Sequence, residues 1–240
     1  MSLTPSSRVV VLGGTSGIGL AVAVAAANAG AQVVVGSRSD QSVKRALALL
    51  PGNAVGRPVD VTAPESVRSF FAEIGEFDHL AYTAGGELPG TVIADFSPEE
   101  AHAFFDTRLF RALDSVRAAL PTLRASGSIT LTSGTAAFRG GAGRLLGAAV
   151  SGAVISAARS LAAELAPIRV NVVAPGVVRT ELWAGMTDED RERLYAAAGS
   201  ETLLGRIAEP EDVAKAYVQL MDQDYATGTV SLVAGGSVLS

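Results

Sequence analysis

The sequence predicts an α/β fold: a doubly wound parallel sheet of about seven strands with helices on both faces. Short β-branched runs alternate along the chain with longer segments of helical pattern, as in successive strand–helix–strand units. Most of these runs are largely apolar rather than alternating, which is typical of strands buried on both faces. A glycine-rich turn joins the first run directly to the first helix, so the expected fold is of the Rossmann type.

The predicted strands are short runs rich in valine and other strand-forming residues. They are Val9–Leu12, Gln32–Val35, Ala54–Val59, His79–Tyr82, Ser128–Thr132, Arg169–Ala174 and Thr229–Val233. We find no repeat, linker or low-complexity segment that interrupts this alternation. Residues 1–240 are therefore predicted to form a single dinucleotide-binding domain.

Signals for helix ends lie between the strand runs. Thr62 and Glu65 have the spacing of a capping box, in which two side chains each bind the other residue's backbone N–H. Ser97 and Glu100 have the same spacing and predict the start of another helix. Gly30 follows the first helical segment and is expected to cap its C-terminus.

The composition narrows the class of protein. Of the 240 residues, 48% are hydrophobic and 18% are charged, which suffices for a core and argues against disorder. The net charge is −5 with no basic block, so no nucleic-acid partner is expected. The absence of cysteine excludes disulfides, thiol catalysis and thiolate metal sites. No segment resembles a membrane span or a signal peptide, so we expect a soluble, cytoplasmic protein.

The first strand leads into the sequence GGTSGIG, from Gly13 to Gly19, and then into a helix. Its glycines permit a tight turn and let the backbone approach a pyrophosphate, which the helix N-terminus then binds electrostatically. This placement predicts a dinucleotide site, and an ordinary glycine-rich turn is the alternative. The expected ligands are Gly13, Thr15, Ser16, Gly17, Ile18 and Gly19.

The end of the second strand predicts which dinucleotide is bound. An NAD site would place a carboxylate here to accept hydrogen bonds from the ribose 2′-hydroxyl. The chain has Gly36, Ser37 and Arg38 instead, and Asp40 is expected to begin the next helix. A guanidinium presents a planar fork of donors that suits a 2′-phosphate. We therefore expect NADP(H) with Ser37 and Arg38 as ligands; a solvated surface Arg38 is the alternative.

The order of motifs along nearly the whole chain resembles that of the short-chain dehydrogenase/reductases. GGTSGIG is similar to the family's glycine motif, and Asp60–Val61 resembles its adenine-contacting pair. YTAG (Tyr82–Gly85) stands where the family usually has Asn-Asn-Ala-Gly, and RVNVVAPGVVRT (Arg169–Thr180) resembles the stretch whose Pro-Gly turn lies against the nicotinamide. The resemblance implies further cofactor ligands at Asp60, Val61, Ala84, Gly85, Pro175, Gly176, Val178 and Thr180.

The residues that this family uses for proton transfer are missing from the chain. The family pairs a substrate-positioning serine with a proton-transferring tyrosine and a lysine four residues later, and an asparagine completes the relay. Counting back from SLAAELA, the tyrosine position falls on Gly147, the lysine position on Ser151 and the serine position on Gly134. Counting back from RAALP, the asparagine position falls on Arg108. Residues 133–164 contain no tyrosine or lysine, so no shift of register restores the pair.

Two interpretations of this site stay open. In the first, the site has lost its catalytic function, and we call it a decayed site. In the second, Arg108 and Ser133 have taken over the catalytic roles, and we call it a rebuilt site. Arg108 with a neutral Ser151 keeps the formal charge of the family's asparagine–lysine pair. Arginine is a poor proton donor but a good stabiliser of developing oxyanion charge. Ser133 directly precedes the serine position and is the second tentative catalytic residue. A surface or subunit-interface Arg108 is the alternative to a catalytic one.

Other polar residues are weaker candidates. Tyr82 ends a predicted strand, where its ring is expected to pack or to bond across the sheet. His79 and His102 are isolated and have no partners at metal-ligand or triad spacing, so both are predicted to be structural. No metal site is expected.

The segment from about 181 to 205 resembles the family's variable substrate lid. Its Trp183, Met186 and Tyr195 would line a pocket or belong to an amphipathic helix packed on the core. Two arginines in the glycine-rich loop before the Gly147 helix would meet an anionic substrate or be solvated; they are Arg139 and Arg144.

Together these observations predict an NADP(H)-dependent oxidoreductase with a non-standard acid–base site. It would move hydride between the nicotinamide and a small carbonyl, enone or imine-type substrate. The alternative is a catalytically silent NADPH-binding module that acts as a sensor or partner subunit. The helices after Ser97 and around 145–166 resemble those of family tetramer interfaces, so a homodimer or homotetramer is expected, without membrane partners.

Overall fold

Seven strands form one parallel sheet. The structure is a computed structural model that describes residues 3–86, 88 and 90–239. The strands are β1 (Arg8–Leu12), β2 (Gln32–Ser37), β3 (Val55–Pro58), β4 (Phe77–Tyr82), β5 (Leu123–Thr132), β6 (Arg169–Pro175) and β7 (Val230–Val233). Their order across the sheet is β3-β2-β1-β4-β5-β6-β7. The predicted doubly wound parallel sheet of seven strands is confirmed.

Helices cover both faces of this sheet. They are α1 (Gly17–Asn28), α2 (Asp40–Leu47), α3 (Pro64–Ile74), α4 (Pro98–Phe105), α5 (Arg111–Ala119), α6 (Leu145–Glu164), α7 (Asp188–Ser200) and α8 (Pro210–Asp222). One core cluster joins the sheet to α3, α5 and α6, and a second joins the opposite face to α1 and α8. A π-helical segment, Asp106–Phe110, connects α4 to α5 without a break in the chain's helical course.

Two of the three predicted helix ends occur as expected. The Ser97 Oγ accepts a hydrogen bond from the Glu100 backbone N–H at 3.2 Å, and Gly30 follows α1 with a φ of 101°. The capping box of Thr62 and Glu65 is wrong, because α3 begins two residues after Thr62 and has no side-chain cap. The Thr62 backbone N–H and hydroxyl both donate to Asp60 Oδ1, at 2.9 and 2.7 Å. This local turn competes with the capping bond for the same side chain.

Helix α6 is the one described helix that is long and apolar enough to cross a bilayer, with a mean hydropathy of 1.5. The sequence expectation had excluded any such segment. Length and composition alone do not separate a membrane span from a helix that packs on a sheet. Four buried side chains of α6 belong to the core cluster on the sheet, namely Val154, Ile155, Ala158 and Ala162. Leu146 and Val150, nearer its start, pack in a smaller cluster with α4.

His79 is buried at the amino-terminal half of the sheet. Its Nδ1 lies 2.9 Å from Ser128 Oγ on β5, within hydrogen-bond distance. Burial lowers the pKa of His79 to about 4, and the nearby Arg169 guanidinium acts in the same direction. Asp78 and Asp222 oppose this shift by favouring the charged form. His79 is thus structural, as the sequence analysis expected, and it is held in its neutral form.

This buried histidine should make folding stability depend on pH. Because the pKa of His79 is lower in the folded than in the unfolded chain, the unfolded state takes up its proton first as the pH falls. Stability should decrease from about pH 6.5 and level off below about pH 4, by about 3 kcal/mol for this group. Urea unfolding of the wild type and His79→Gln at pH 7 and pH 4.5 checks this.

The chain provides a matched control for this measurement. His102 is the only other histidine and is exposed on α4. The His102→Gln variant should keep the full decrease in stability between the two pH values, whereas His79→Gln should show a smaller one. An equal decrease in His79→Gln and the wild type would contradict the assignment to His79.

Candidate functional site

A cleft of about 1090 Å³ opens at the carboxyl ends of the strands. It lies where the strand order reverses, between β1 and β4, which is the usual ligand position in open parallel α/β sheets. Segments that follow all seven strands contribute described residues to its walls; they include Gly13, Arg38, Val59, Thr83, Ser133, Gly176 and Ala234. The fold therefore brings together segments that are far apart in the sequence.

The backbone of the glycine turn packs directly against the loop that follows β4. A Cβ on Gly13, which has a φ of 83°, would lie 2.7 Å from the backbone nitrogen of Ala84. A Cβ on Gly19 would overlap the Gly13 carbonyl oxygen and the Thr83 hydroxyl. Glycine is therefore required at both positions by backbone packing, and the turn is fixed against the floor of the cleft.

The N-terminus of α1 borders the cleft with its backbone donors available. Ser16 is the N-cap residue, yet its side chain makes no capping hydrogen bond, and the first turn holds no acidic residue. Ser16, Gly17 and Ile18 all line the cleft. A helix start without a side-chain cap leaves N–H groups that favour an anion. This arrangement suits a diphosphate.

The end of β2 forms one extremity of the cleft. Ser37 and Arg38 line it, and Arg38 is exposed and makes no hydrogen bond within the described part of the chain. Val59 and Val61 supply an apolar wall beside them. Asp60 does not line the cleft: its carboxylate accepts both hydrogen bonds from Thr62, which lower its pKa.

The loop after β6 forms the opposite wall. The predicted ligands Pro175, Gly176, Val178 and Thr180 all line the cleft, as do Ala84 and Gly85 from the loop after β4. A Cβ on Gly17 would lie 3.2 Å from the Thr180 side chain, so this loop packs on the start of α1. Of the cofactor positions inferred from the sequence, the cleft therefore contains all except Asp60.

Arg108 reaches the cleft from the π-helical segment between α4 and α5. Its guanidinium packs over the Phe104 ring, 5.0 Å from the centroid, and its Nη2 donates to the Gly86 carbonyl. Its Nε is buried without a hydrogen-bond partner, and no carboxylate in the described residues pairs with it. Burial lowers its pKa. A partly desolvated cation thus faces the cleft next to Gly85.

The first turns of α6 form the floor opposite Arg108. Ser133 Oγ donates to the Ser151 carbonyl at 2.9 Å, which ties the end of β5 to α6. The Ser151 side chain is buried and lines the cleft with Gly134 and Gly147. Among the described residues, a Cβ on Gly147 would meet only the Ala136 Cβ within 4 Å, at 4.0 Å, so none of them would clash with a methyl group here.

The usual neutral-pH proton donors are absent from the described lining of the cleft. It contains hydroxyls, arginines and three carboxylates, but no tyrosine, lysine or histidine. The Tyr82 phenol instead donates to the Thr107 carbonyl at 2.9 Å, and its burial raises its pKa, so its role is structural. Thr132 lies between the Tyr82 carbonyl, at 2.6 Å, and the buried Tyr217 hydroxyl, at 2.5 Å.

The remaining candidates separate into lining and structural residues. Trp183, in a 3₁₀ turn before α7, lines the cleft, and so do Arg139 and Arg144. Tyr195 is buried beneath the Arg179 guanidinium, whose Cζ is 4.3 Å from the ring centroid, and does not line this cleft. Met186 is also outside the lining. Within the described residues no group of metal-ligating side chains occurs.

A doubly wound parallel sheet with a glycine turn and a cleft at the reversal of strand order defines a nucleotide-binding α/β protein. Residues 13–237 match a family model described as enoyl-(acyl carrier protein) reductase. The chain is 34% identical to the short-chain dehydrogenase/reductase ATR9 of Stachybotrys chlorohalonatus, over 96% of each chain. It is 32% identical to carbonyl reductase family member 4 of Danio rerio, over 96% of this chain and 98% of the relative.

Solved structures agree with these relatives. A small-chain dehydrogenase in complex with NADPH superposes with a TM-score of 0.86 at 36% identity, over 98% of this chain and 99% of that one. The MalC reductase/Diels-Alderase from Malbranchea aurantiaca superposes with a TM-score of 0.91 at 27% identity, over 100% and 99%. The chain belongs to the short-chain dehydrogenase/reductase family of oxidoreductases.

Proposed function

We propose that this oxidoreductase uses NADP(H) and transfers hydride between the nicotinamide and a small carbonyl, enone or imine-type substrate. We further propose that it does so at an acid–base site without the family's Tyr-x-x-x-Lys pair. The observation that carries the proposal is the cleft at the strand-order reversal, with free donors at the start of α1 and a guanidinium at its β2 end. The NADPH complex of the similar small-chain dehydrogenase supports the choice of cofactor.

The cleft residues fit the parts of this cofactor. The glycine turn and the first N–H groups of α1 would hold the diphosphate. Val59 and Val61 would contact the adenine, and Arg38 with Ser37 would bind the 2′-phosphate. The wall from Pro175 to Thr180 would hold the nicotinamide, which supplies the hydride when the cofactor is bound.

The proposed acid–base site differs from the family pattern at every relay position. Gly147 and Ser151 stand where the resemblance places tyrosine and lysine, and Gly134 and Arg108 stand at the serine and asparagine positions. All four residues line the cleft. The described lining of the cleft contains no tyrosine, lysine or histidine. No other described segment therefore supplies one of the usual proton donors in place of the missing tyrosine, which supports this interpretation.

The chain's own residues can still assist hydride transfer. Arg108 would stabilise negative charge that develops on a substrate oxygen, because its partly buried Nε has no hydrogen-bond partner and no carboxylate among the described residues pairs with its guanidinium. The Ser133 hydroxyl already donates a hydrogen bond to the Ser151 carbonyl, so it would fix the position of α6 rather than protonate a substrate. The proton would then come from water, which requires an acceptor that is already activated.

The missing proton donors also support a second function, that of a silent NADPH-binding sensor or partner subunit. The two functions differ in one measurement. Single-turnover oxidation of bound NADPH by a panel of enones, iminium compounds and activated ketones is expected for the enzyme. Tight NADPH binding without oxidation by any class of acceptor would favour the silent module.

Arg38 should determine the choice between the two dinucleotides. Arg38→Ala removes a charge-assisted contact to the 2′-phosphate, so the preference for NADPH over NADH should fall about 30-fold, or about 2 kcal/mol. The affinity for NADH should stay nearly unchanged. Titration of both cofactors into the wild type and the variant measures this. Equal affinity of the wild type for NADPH and NADH would refute the assignment.

We also propose that the protein is a cytoplasmic homodimer or homotetramer and that the segment at 181–205 acts as a substrate lid. Exposed apolar side chains lie along α4 to α6 and the segment before them; they include Ile93, Phe96, Phe110 and Leu145. The many small residues of α6 would let a second copy approach closely. The lid segment contributes Trp183 and Leu204 to the cleft.

A further inference from the structure

Helix α7 separates the cleft from a shallower groove on the protein surface. One side of the helix lines the cleft at helical spacing, with Leu194, Ala197 and Ala198. The adjacent side lines the groove at the same spacing, with Glu192, Tyr195, Ala196 and Gly199. The position of α7 therefore determines the shape of this wall of the cleft.

Few side chains anchor α7 to the rest of the protein. Among its residues, all of which the structure describes, only Tyr195 and Gly199 are buried. Gly199 packs through its backbone, since a Cβ there would lie 3.5 Å from the Arg206 Cα. Tyr195 is thus the one large side chain of α7 that is buried. A helix with so little buried surface can separate from the protein at a low free-energy cost.

Arg179, in the loop after β6, covers this anchor. Its Cζ lies 4.3 Å from the Tyr195 ring centroid, and its Nη1 donates to Glu192 Oε1 at 3.1 Å, so it contacts α7 twice. Its Nε lies 3.4 Å from Oε1 of Glu209, the N-cap residue of α8. Its backbone N–H donates to the Ala208 carbonyl at 3.0 Å. One residue thus joins α7 to the start of α8 and to the loop after β6.

The Arg179 side chain acts from behind the cleft wall. Val178 and Thr180 line the cleft, whereas Arg179 lines the groove. A change of this side chain therefore removes no group that lines the cleft. The Arg179 and Glu192 side chains are 45% and 64% exposed, so their ion pair is weak and is screened by salt. Weak contacts of this kind suit a lid that must open for ligands to enter and leave.

We propose that Arg179 is a positioning residue that holds the lid helix α7 closed over the cleft through its contacts with Tyr195 and Glu192. The inference rests on the proposed function, in which the segment at 181–205 is the substrate lid. Without the guanidinium, α7 keeps only the Tyr195 ring and the backbone at Gly199 as buried anchors. The equilibrium then shifts toward an open lid.

Amide hydrogen exchange of residues 188–200 tests the attachment of the lid. A helix of 13 residues is only marginally stable in water once it is detached, so opening exposes its amides. Arg179→Met keeps an unbranched stem over Tyr195 but removes the charge. Exchange in α7 should become about 5- to 10-fold faster in this variant, with exchange in α1 unchanged. Arg179→Lys, which keeps the cation, should recover part of the protection.

Arg193→Met is the matched control. It removes the same charge from α7 itself, where Arg193 pairs with Asp190 at 2.6 Å and with Glu189 at 3.9 Å in the same helix. Because these pairs do not join α7 to the rest of the protein, exchange should change less than about twofold.

Acrylamide quenching of the fluorescence of bound NADPH tests whether α7 covers the cleft. A closed lid excludes small solutes from the nicotinamide. Arg179→Met should therefore strengthen quenching by about the same factor as it speeds exchange, and Arg193→Met should not. The affinity for NADPH should stay within about threefold of the wild type in both variants. A contact with a purely structural role would speed exchange without a change in quenching.

Three results would overturn the inference. They are unchanged exchange of α7 in Arg179→Met, an equal increase in Arg193→Met, and faster exchange with unchanged acrylamide quenching. A titration with NADPH, carried out first, separates this inference from the proposed function. Failure of the wild type to bind NADPH would contradict the proposed function, and exchange in the free protein would still decide whether Arg179 holds α7. Normal binding with any of the three results would overturn only the role of Arg179.

Discussion

Replacing Arg108 with alanine should lower kcat for the native reduction about 100-fold and change the affinity for NADPH less than about threefold. The guanidinium is partly buried, its Nε has no hydrogen-bond partner, and the Gly86 carbonyl is the one acceptor for its Nη2 in the part of the chain that the structure describes. A substrate oxygen gains negative charge chiefly in the transition state. An interaction that strengthens only there changes kcat rather than ground-state binding.

Two further variants make this measurement specific. Arg108→Met keeps an unbranched stem that packs on Phe104 but removes the charge, and it should lose as much activity as the alanine variant. Arg111 lies one turn later, pairs with Asp106 at 2.8 Å and is outside the cleft lining, so Arg111→Ala should retain most of the activity. Single-turnover NADPH oxidation compares them. A loss confined to NADPH affinity would make Arg108 a cofactor ligand and remove it from the chemistry.

The strands were predictable from the sequence because most of them are largely apolar runs between turn signals. Strand β5 shows the limit of this signal. The structure extends it back from Ser128 to Leu123, through the polar residues Arg124 and Ser126, because Leu123 pairs with Phe77 on β4. Pairing with a neighbouring strand, which no local pattern encodes, determines where such a strand begins.

The glycine turn and the walls of the cleft were also predictable. Their residues occur in short sequence motifs, and the glycines are required where two backbone segments come close together. The surroundings of Arg108 were not predictable. Its position follows from a π-helical segment that turns residue 108 toward Gly86, and nothing in the local composition indicates that segment. The contacts of Asp60 and Tyr195 were not predictable for a related reason. Each is held by a neighbour, Thr62 or Arg179, in a contact that exists only in the folded chain.

The Gly147→Tyr variant should lose the native reaction almost completely, by about 100-fold or more, while it still binds NADPH within a few-fold of the wild type. Gly147 lines the cleft, and among the described residues only the Ala136 Cβ, at 4.0 Å, comes within 4 Å of its Cβ position. A tyrosine ring would fill the volume that the rebuilt site leaves for substrate. Gly147→Ala should keep most of the activity, since its methyl group makes only an ordinary contact, and it controls for the change in helix propensity.

A decayed reductase predicts the opposite outcome. Restoring the family relay through Gly147→Tyr, Ser151→Lys, Arg108→Asn and Gly134→Ser should then raise carbonyl reduction above the wild-type rate. The Cβ of a serine at position 134 would lie 3.3 Å from the Ser151 Oγ, so the side chain at position 151 would have to shift slightly. If Arg108 is kept, a lysine at 151 would also add a further cation to the partly buried part of the cleft that holds Arg108, which is destabilising.

Single-turnover NADPH oxidation by the wild type, Gly147→Tyr and Arg108→Ala decides between these outcomes. In a rebuilt site both single variants lose rate, because one blocks the space for substrate and the other removes the charge that stabilises its oxygen. In a decayed site neither variant has a native rate to lose, and only the fourfold variant gains one. Unchanged rates in an active wild type and both single variants would show that neither residue touches the reacting atoms, and the rebuilt site would then have to be abandoned.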